Sequence, residues 1–195
     1  IVYDSGDFPG GMDKALAAIG GLSGFRQRQR EARERGRHLG LGVASYVEGT
    51  GVGPFESALV RIESNGSITV SSGACAQGQG METIFAQVVA DLWSVDPGDV
   101  DIALGDTSLI AIGFGTIASR STVNLSAAIH HASERLRAKV FAVAGNMMEC
   151  SPADLELRHG KVGVVGVPGM EVTLAAVAQA ARPGWDHRRP PGVDA

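Results

Sequence analysis

The dipeptide Asn65-Gly66 constrains the fold of this chain more than any other feature of the sequence. It lies between residues 57–63 and 67–72, and both of those segments alternate apolar and polar side chains. Asn-Gly readily takes the positive φ angles of a two-residue hairpin turn, and the alternation is typical of a strand with one buried face. The sequence therefore predicts an antiparallel β-hairpin at this point.

Helical and extended patterns alternate along the rest of the 195 residues. Apolar side chains repeat at about four-residue steps from Ile84 to Trp93 and again from Leu125 to Met147, which predicts two amphipathic helices. Further helices are predicted over 12–20, 23–37 and 173–181, strands over 39–48 and 100–104, and a second hairpin around His159-Gly160. Hairpins imply antiparallel pairs, so the expected fold class is α+β, a mixed sheet built from hairpins with helices packed on one face.

The same patterns divide the chain into three parts. We expect residues 1–38 to form a helical leader segment, residues 39–181 the main domain, and residues 182–195 a linker rich in proline and arginine. Ile1 is not an initiator methionine and opens no signal pattern, so the chain reads as part of something longer.

Charge and composition exclude some classes of function. The net charge of −4 argues against a nucleic-acid partner, and no run of about 18 apolar residues predicts a membrane span. The two cysteines, Cys75 and Cys150, belong to no motif, which suits the reducing cytoplasm. Six arginines lie between Phe25 and His38; they indicate either an anion-binding stripe or a solvated helix face with local Glu–Arg pairs, and the mixed sign favours the solvated face.

A candidate site lies where a predicted strand passes into a predicted helix. Residues 75–83, CAQGQGMET, alternate Gln77 and Gln79 with Gly78 and Gly80. Glycine lets another group approach the backbone, and a glutamine amide carries both donors and an acceptor. The free N–H groups of a helix start amount to roughly half a positive charge, so a phosphate, carbonyl oxygen or oxo group would fit there. By itself the pattern also fits a plain turn.

Residues 113–121, GFGTIASRS, form a second glycine-rich loop that leads into a helix. This loop offers backbone N–H groups, the hydroxyls of Ser119 and Ser121, and the guanidinium of Arg120. Two such loops in one small domain could face one anionic ligand from two sides. Together they favour a binding site over two unrelated turns.

Other site motifs fit the sequence poorly. Residues 113–118 match the dinucleotide fingerprint G-x-G-x-x-A, but they do not directly follow a strand and no complete βαβ unit follows them. His130 and His131 lie about 100° apart on a helix and cannot clasp one metal ion. Cys75 is a candidate nucleophile, although a small buried residue at a strand end is the better interpretation. We therefore predict neither a catalytic residue nor a metal ligand.

Several of these segments together resemble one known family. Residues 77–83 (QGQGMET), 105–107 (GDT) and 115–121 (GTIASRS) are similar, in order, to the molybdopterin-binding large subunit of the xanthine dehydrogenase/aldehyde oxidase family. Residues 3–7 (YDSGD) and 53–56 (GPFE) fit the branch that includes the large subunits of aerobic carbon monoxide dehydrogenases. The resemblance covers nearly the whole chain.

The resemblance implies a cofactor in which a pterin dithiolene holds molybdenum, often as the cytosine dinucleotide in bacteria, with no direct metal ligand from the protein. By motif position, Gln79 would donate its amide toward a molybdenum oxo oxygen, and the second loop would hold the pterin or its phosphate through backbone and hydroxyl groups. The implied cofactor-binding residues are Gln77, Gly78, Gln79, Gly80, Ala118, Ser119, Arg120 and Ser121.

The resemblance also implies an activity and partners. The activity would be oxidative hydroxylation of an aldehyde, an N-heterocycle or a similar small molecule, with water as the oxygen source. Electrons would leave to iron–sulfur and FAD subunits, so those subunits and the remainder of the large subunit are the implied partners. Residues 39–181 would be a portion of the molybdopterin-binding domain.

The chain departs from the family pattern at two points. The branch usually has histidine where Met81 stands. The family's general base, a glutamate near the C-terminus of the large subunit, and its substrate-facing loop have no counterpart here. The chain therefore resembles a central fragment and is expected to be inactive by itself. Two alternatives stay open: a truncated product without activity, and a phosphate- or nucleotide-binding module unrelated to molybdenum.

Overall fold

A computed structural model describes residues 2–182. The chain divides into two compact units, and the boundary falls between Val47 and Glu48. Except for Arg182, the predicted linker over 182–195 lies outside the described residues. The three-part division made from the sequence stays a prediction.

The first unit contains two helices, α1 (Phe8–Ala18) and α2 (Gly21–Glu34). The carboxylate of Asp7 begins α1 by accepting a hydrogen bond from the Gly10 N–H at 2.9 Å. Helix α2 buries Phe25 and Ala32 and exposes its arginines. Glu31 accepts a hydrogen bond from Gln27 at 3.0 Å instead of pairing with an arginine, so the predicted solvated face is present with a different local partner.

The strand predicted over 39–48 is wrong, because the structure assigns no strand there. Leu39, Leu41 and Val43 carry the alternation that suggested it, and all three side chains are exposed. A strand needs a hydrogen-bonding neighbour, so its propensity depends on context more than a helix propensity does.

The second unit is built on a three-stranded sheet of β1 (Ala58–Ile62), β2 (Ile68–Ser72) and β3 (Val100–Leu104). Strands β1 and β2 are antiparallel and form the hairpin predicted around Asn65-Gly66. Strand β3 pairs with β2 in parallel, after the chain crosses over through α3 (Met81–Trp93). The sheet is therefore mixed, as expected.

The register of the three strands gives the sheet one apolar and one polar face. Val60, Val70 and Ile102 lie side by side on the first face, and Arg61, Thr69 and Asp101 lie side by side on the other. Successive side chains of a strand point to opposite faces, so the alternation in the sequence fixes which face is buried.

Two long helices cover the apolar face. Helix α3 begins at Met81, and α4 (Ser126–Met148) follows a π-helical turn over Ser121–Leu125. The indole N–H of Trp93 on α3 donates to the hydroxyl of Ser133 on α4 at 3.1 Å, and both side chains are buried. This contact joins the two helices inside the core, which they share with the sheet.

A smaller antiparallel sheet completes the second unit. It comprises β4 (Leu155–Arg158), β5 (Lys161–Val164) and β6 (Glu171–Thr173), and α5 (Leu174–Ala180) follows. The hairpin around His159-Gly160 is confirmed by β4 and β5, and Val162 joins the same core as β2. Among the described residues, no helix is both long and apolar enough to cross a membrane.

Candidate cofactor-binding loops

Two loops leave the same edge of the main sheet. The first loop, residues 73–80, follows β2 and runs into α3, and the second loop, residues 105–120, follows β3 and leads to α4. Strands β2 and β3 are parallel, so their carboxyl ends meet at one edge. In open α/β sheets, ligands bind outside the carboxyl ends of parallel strands, which makes this edge the candidate site.

Gly73 and Gly113 bring the two loops into backbone contact. A Cβ placed on Gly73 would lie 2.5 Å from the Gly113 Cα, and one placed on Gly113 would lie 2.4 Å from the Gly73 Cα. Both distances are too short for any side chain, and backbone atoms cannot rotate away as a side chain can. Neither Gly73 nor Gly113 can therefore carry a side chain unless one of the loops moves.

We expect Gly113→Ala to destabilise the second unit, because the added methyl group must push the two loops apart. Overpacking typically costs about 1–3 kcal/mol, and a clash with backbone places this variant toward the upper end. Chemical denaturation of the 195-residue chain measures the change. Gly42→Ala is the matched control, because a Cβ there meets no atom within 4 Å. Equal stability of the two variants would contradict the close contact.

Hydrogen bonds also join the two loops. The Gln77 side-chain amide donates to the Thr116 carbonyl oxygen at 3.3 Å, and the Gln77 backbone N–H donates to Oε1 of Gln79 at 2.7 Å. Gly80 precedes the first residue of α3 with φ of 77°, in the left-handed region that glycine tolerates. The helix start and both glutamines are thus held beside the second loop.

The second loop contains two consecutive residues in an unusual backbone conformation. Ala118 and Ser119 have φ of 46° and 47°, a region that residues with a Cβ rarely adopt. The chain then enters the π-helical turn over Ser121–Leu125. Strained residues and π-helical turns both concentrate at functional sites, so this conformation supports a binding role for the loop.

A buried ion pair between Arg120 and Glu56 holds the second loop in place from inside the protein. Arg120 Nη1 lies 2.7 Å from Glu56 Oε2, and the two side chains are 0% and 1% exposed. The same guanidinium donates to the carbonyl oxygens of Val52 at 2.8 Å, of Gly115 at 2.6 Å, and of Phe55. Four of the five N–H groups of the guanidinium donate in these bonds, all inside the protein.

Glu56 binds the loop backbone in turn. Its carboxylate accepts the N–H groups of Phe114 and Gly115 at 3.3 Å each, and the Phe114 ring centroid lies 4.5 Å from the Arg120 guanidinium carbon. The expectation that the guanidinium is available to an anionic ligand is therefore wrong. The backbone N–H of Arg120 also donates internally, to the Ile117 carbonyl oxygen at 3.0 Å, so this residue supports the loop from inside the protein.

The two loops offer both open space and unpaired polar groups, which a polar ligand could use. A Cβ built on Gly78, Gly80 or Gly115 would meet nothing within 4 Å, so these glycines border open space. At the entry to α4, the side-chain nitrogen of Asn124 and the hydroxyl of Ser126 are buried without a hydrogen-bond partner. Buried polar atoms are nearly always paired, so these two groups add unsatisfied hydrogen-bonding capacity beside the second loop.

Cys75 differs from the sequence-based expectation, and Asp106, which had no assigned role, forms hydrogen bonds within the second loop. Cys75 is exposed, not buried, because β2 ends at Ser72 and the chain has already left the sheet. Asp106 accepts hydrogen bonds from the Ser108 hydroxyl at 2.6 Å and from its backbone N–H at 2.8 Å. These bonds hold the pKa of Asp106 below its usual value, so this carboxylate stays charged at neutral pH.

An α+β unit with two glycine-rich loops at the carboxyl ends of adjacent parallel strands defines a domain of the cofactor-binding class. Comparison with known proteins specifies which one. Residues 15–190 match the family model of the molybdopterin cofactor-binding domain, and the chain belongs to that family.

Curated relatives agree with this assignment. The chain is 35% identical to the nicotine 6-hydroxylase large subunit of Paenarthrobacter nicotinovorans, over 98% of the chain and 24% of the relative. It is 32% identical to the carbon monoxide dehydrogenase large chain of Afipia carboxidovorans, over 99% of the chain and 26% of the relative. The chain thus spans about a quarter of the length of the relatives it matches.

A solved structure shares the fold as well. The quinoline 2-oxidoreductase of Pseudomonas putida 86 superposes with a TM-score of 0.67 at 38% identity, over 93% of this chain and 24% of that one. The likeness confirms the predicted fold class and the resemblance to molybdenum hydroxylase large subunits.

Reasoning from the sequence missed three of the residues that organise the site. Glu56 was part of a resembling motif but had no assigned role, and Gly73 and Gly113 were ordinary loop glycines. The helix of 13 residues between β2 and β3 was the signal that could have found the two glycines, because a strand, a helix and a strand in succession often pair in parallel.

Proposed function

We propose that residues 73–80 and 105–121 cradle the molybdenum cofactor of a larger enzyme subunit. One observation carries this proposal: two glycine-rich loops, each leading into a helix, meet at the carboxyl ends of β2 and β3. The chain in which they meet belongs to the molybdopterin cofactor-binding family. The open space at the loop glycines and the unpaired groups of Asn124 and Ser126 support it.

The proposed cofactor-binding residues act in two groups. Gln77, Gly78, Gln79 and Gly80 line the cofactor at the start of α3, where backbone N–H groups are free and the helix dipole favours negative charge. Ala118, Ser119, Arg120 and Ser121 hold the pterin or its phosphate, with the buried Arg120 acting through its hydrogen bonds to the loop backbone. When bound, the cofactor supplies two-electron oxidation of a substrate carbon, with oxygen from water. The pterin is proposed to be the cytosine dinucleotide form.

The whole subunit is proposed to be a cytoplasmic molybdenum hydroxylase. Its substrate is a small molecule of the aldehyde or N-heterocycle type, and its electrons pass to iron–sulfur and FAD subunits. The names of the relatives support this, since they include a nicotine hydroxylase large subunit and a carbon monoxide dehydrogenase large chain. Metal and pterin analysis of the purified complete subunit tests the proposal. Full occupancy by molybdenum and pterin is expected, and a subunit that retains a plain nucleotide instead would overturn it.

The double variant Ser119→Ala with Ser121→Ala should lose cofactor during purification. Ser119 is exposed on the strained segment, and the Ser121 hydroxyl lies 3.1 Å from that of Thr116. Each hydroxyl removed from a cofactor contact costs about 0.5–1.5 kcal/mol, so two together reduce retention by roughly fivefold to a hundredfold. Molybdenum per protein after gel filtration measures the loss. Ser23→Ala with Ser45→Ala is the control, since both serines are exposed in the first unit. If the double variant kept its full cofactor content and lost only turnover, the two serines would act in catalysis and not in cofactor retention.

The 195-residue chain by itself should show no turnover of nicotine, quinoline or carbon monoxide, even with molybdopterin and an artificial electron acceptor added. Hydroxylation needs a base within hydrogen-bond reach of the reacting group. Two carboxylates lie in or against the two loops: Glu56 is buried against Arg120, and hydrogen bonds lower the pKa of Asp106, so neither is suited to take a proton. Turnover that requires molybdenum in a folded sample of the chain would show that a base lies within these residues.

A further inference from the structure

Met81 is almost fully buried, with 2% of its surface exposed, at the point where the first loop becomes α3. Its sulfur accepts two hydrogen bonds, one from each loop. The Gln79 side-chain nitrogen lies 3.2 Å from the sulfur, and the Thr116 hydroxyl oxygen lies 3.6 Å from it. A thioether is a weak acceptor, but the sulfur itself is shielded from water because Met81 is buried.

The two ends of the Gln79 amide are held by different groups. Its oxygen accepts the backbone N–H of Gln77 at 2.7 Å, and its nitrogen donates to Met81. A flipped amide would place its oxygen against the sulfur, which has no hydrogen to give, and its NH₂ group against the Gln77 N–H. Only one orientation of the amide therefore satisfies both neighbours.

Within residues 2–182, that orientation leaves one N–H of the Gln79 amide unused. An amide nitrogen carries two hydrogens, and the contact with Met81 takes one of them. The second hydrogen is in the plane of the same amide, so its direction is fixed by the two bonds that fix the plane. Gln79 is thereby preorganised as a hydrogen-bond donor.

The sulfur also couples Gln79 to the second loop. The Ser121 hydroxyl donates to the Thr116 hydroxyl at 3.1 Å, and the Thr116 hydroxyl donates to Met81. A chain of hydrogen bonds thus runs from the residue that begins the π-helical turn, through the sulfur, to the Gln79 amide. A shift of either loop would change a hydrogen bond to the Met81 sulfur.

We propose that Met81 is a positioning residue whose sulfur fixes the orientation of the Gln79 amide and ties it to the second loop, so that the remaining N–H faces an oxygen of the bound molybdenum centre. The inference rests on the proposed function of the two loops. It gives the sulfur a role that leucine, with nearly the same volume, cannot perform.

Electron paramagnetic resonance of the cofactor-loaded complete enzyme, reduced with dithionite to the Mo(V) state, tests this role without any substrate. Gln79→Ala should shift the g values, because the metal loses a hydrogen bond to its oxygen. Met81→Leu should shift them in the same direction, and adding Met81→Leu to Gln79→Ala should produce no further shift. Met147→Leu is the control, since it removes a thioether from the partly buried packing of α4 and should leave the spectrum unchanged.

The outcomes separate the inference from the proposed function. If Gln79→Ala shifts the g values and Met81→Leu does not, the positioning role is overturned while the proposed cofactor site stands. If Gln79→Ala leaves the spectrum of a fully loaded enzyme unchanged, the proposed contact of the first loop is wrong, and the role of Met81 is overturned with it. Unfolding midpoints of Met81→Leu and Met147→Leu that agree within a few degrees would exclude a general loss of folding as the cause of a shift.

Discussion

Replacing Arg120 with methionine is expected to lower the free energy of unfolding of the second unit by about 3–5 kcal/mol, because it leaves Glu56 buried without its partner. The carboxylate keeps the N–H groups of Phe114 and Gly115 as donors, but it loses the only positive charge that contacts it among the described residues. The carbonyl oxygens of Val52, Phe55 and Gly115 also lose their common donor. Urea denaturation followed by tryptophan fluorescence measures the change.

Arg61→Met is the matched control for this substitution. Arg61 also pairs with a glutamate, Glu63, but the Arg61 side chain is 63% exposed. Exposed ion pairs contribute about 0–1 kcal/mol, so this variant should remain close to the wild type. A loss of less than about 1 kcal/mol in Arg120→Met would show that the pair does not hold the second loop in place.

Gln79→Ala in the complete enzyme is expected to lower the turnover number by about a hundredfold to a thousandfold, the usual effect of removing one preorganised hydrogen-bond donor. Folding should be nearly unaffected, because Gln79 is exposed on the first loop and only its hydrogen bonds to Gln77 and Met81 are lost. The assay uses a substrate that the wild-type enzyme is found to oxidise, with molybdenum content determined on the same samples.

Gln27→Ala provides the control, since Gln27 is an exposed glutamine of α2 that bonds only to Glu31 among the residues described. Cofactor content should be equal in wild type, control and variant. Full molybdenum occupancy and wild-type turnover in Gln79→Ala would show that Gln79 does not contribute to the site. Low turnover with low occupancy would make Gln79 a residue for cofactor retention instead of catalysis.

Local features of the fold could be predicted because short-range chemistry determines them. Asn65-Gly66 has few competing conformations, and the alternation on either side specifies a buried face, so the hairpin of β1 and β2 appears where expected. The apolar repeat through Ile129 and Val140 specifies the buried side of α4 in the same way. The resemblance to a molybdopterin-binding family rested on short motifs, and the family match confirms it.

Two features were not predicted from the sequence because they depend on residues far apart in the chain. The parallel pairing of β2 with β3 decides that the two glycine-rich loops share one edge, and the helix between these strands was its one sign in the sequence. The pairing of Arg120 with Glu56, 64 residues earlier, turned a guanidinium that looked free for a ligand into a support for the loop.

Residues 39–48 show that a local pattern can also predict an element that does not form. Their alternation is that of a strand, yet a strand forms only where a neighbour supplies hydrogen bonds, and the described residues provide none. The sequence by itself thus determined the hairpins, the helical faces, the family and the two candidate loops. Only the tertiary structure decided that these loops meet, which of their side chains are used internally, and that the sulfur of Met81 lies between them, because each of these depends on contacts that close only when the sheet and helices pack.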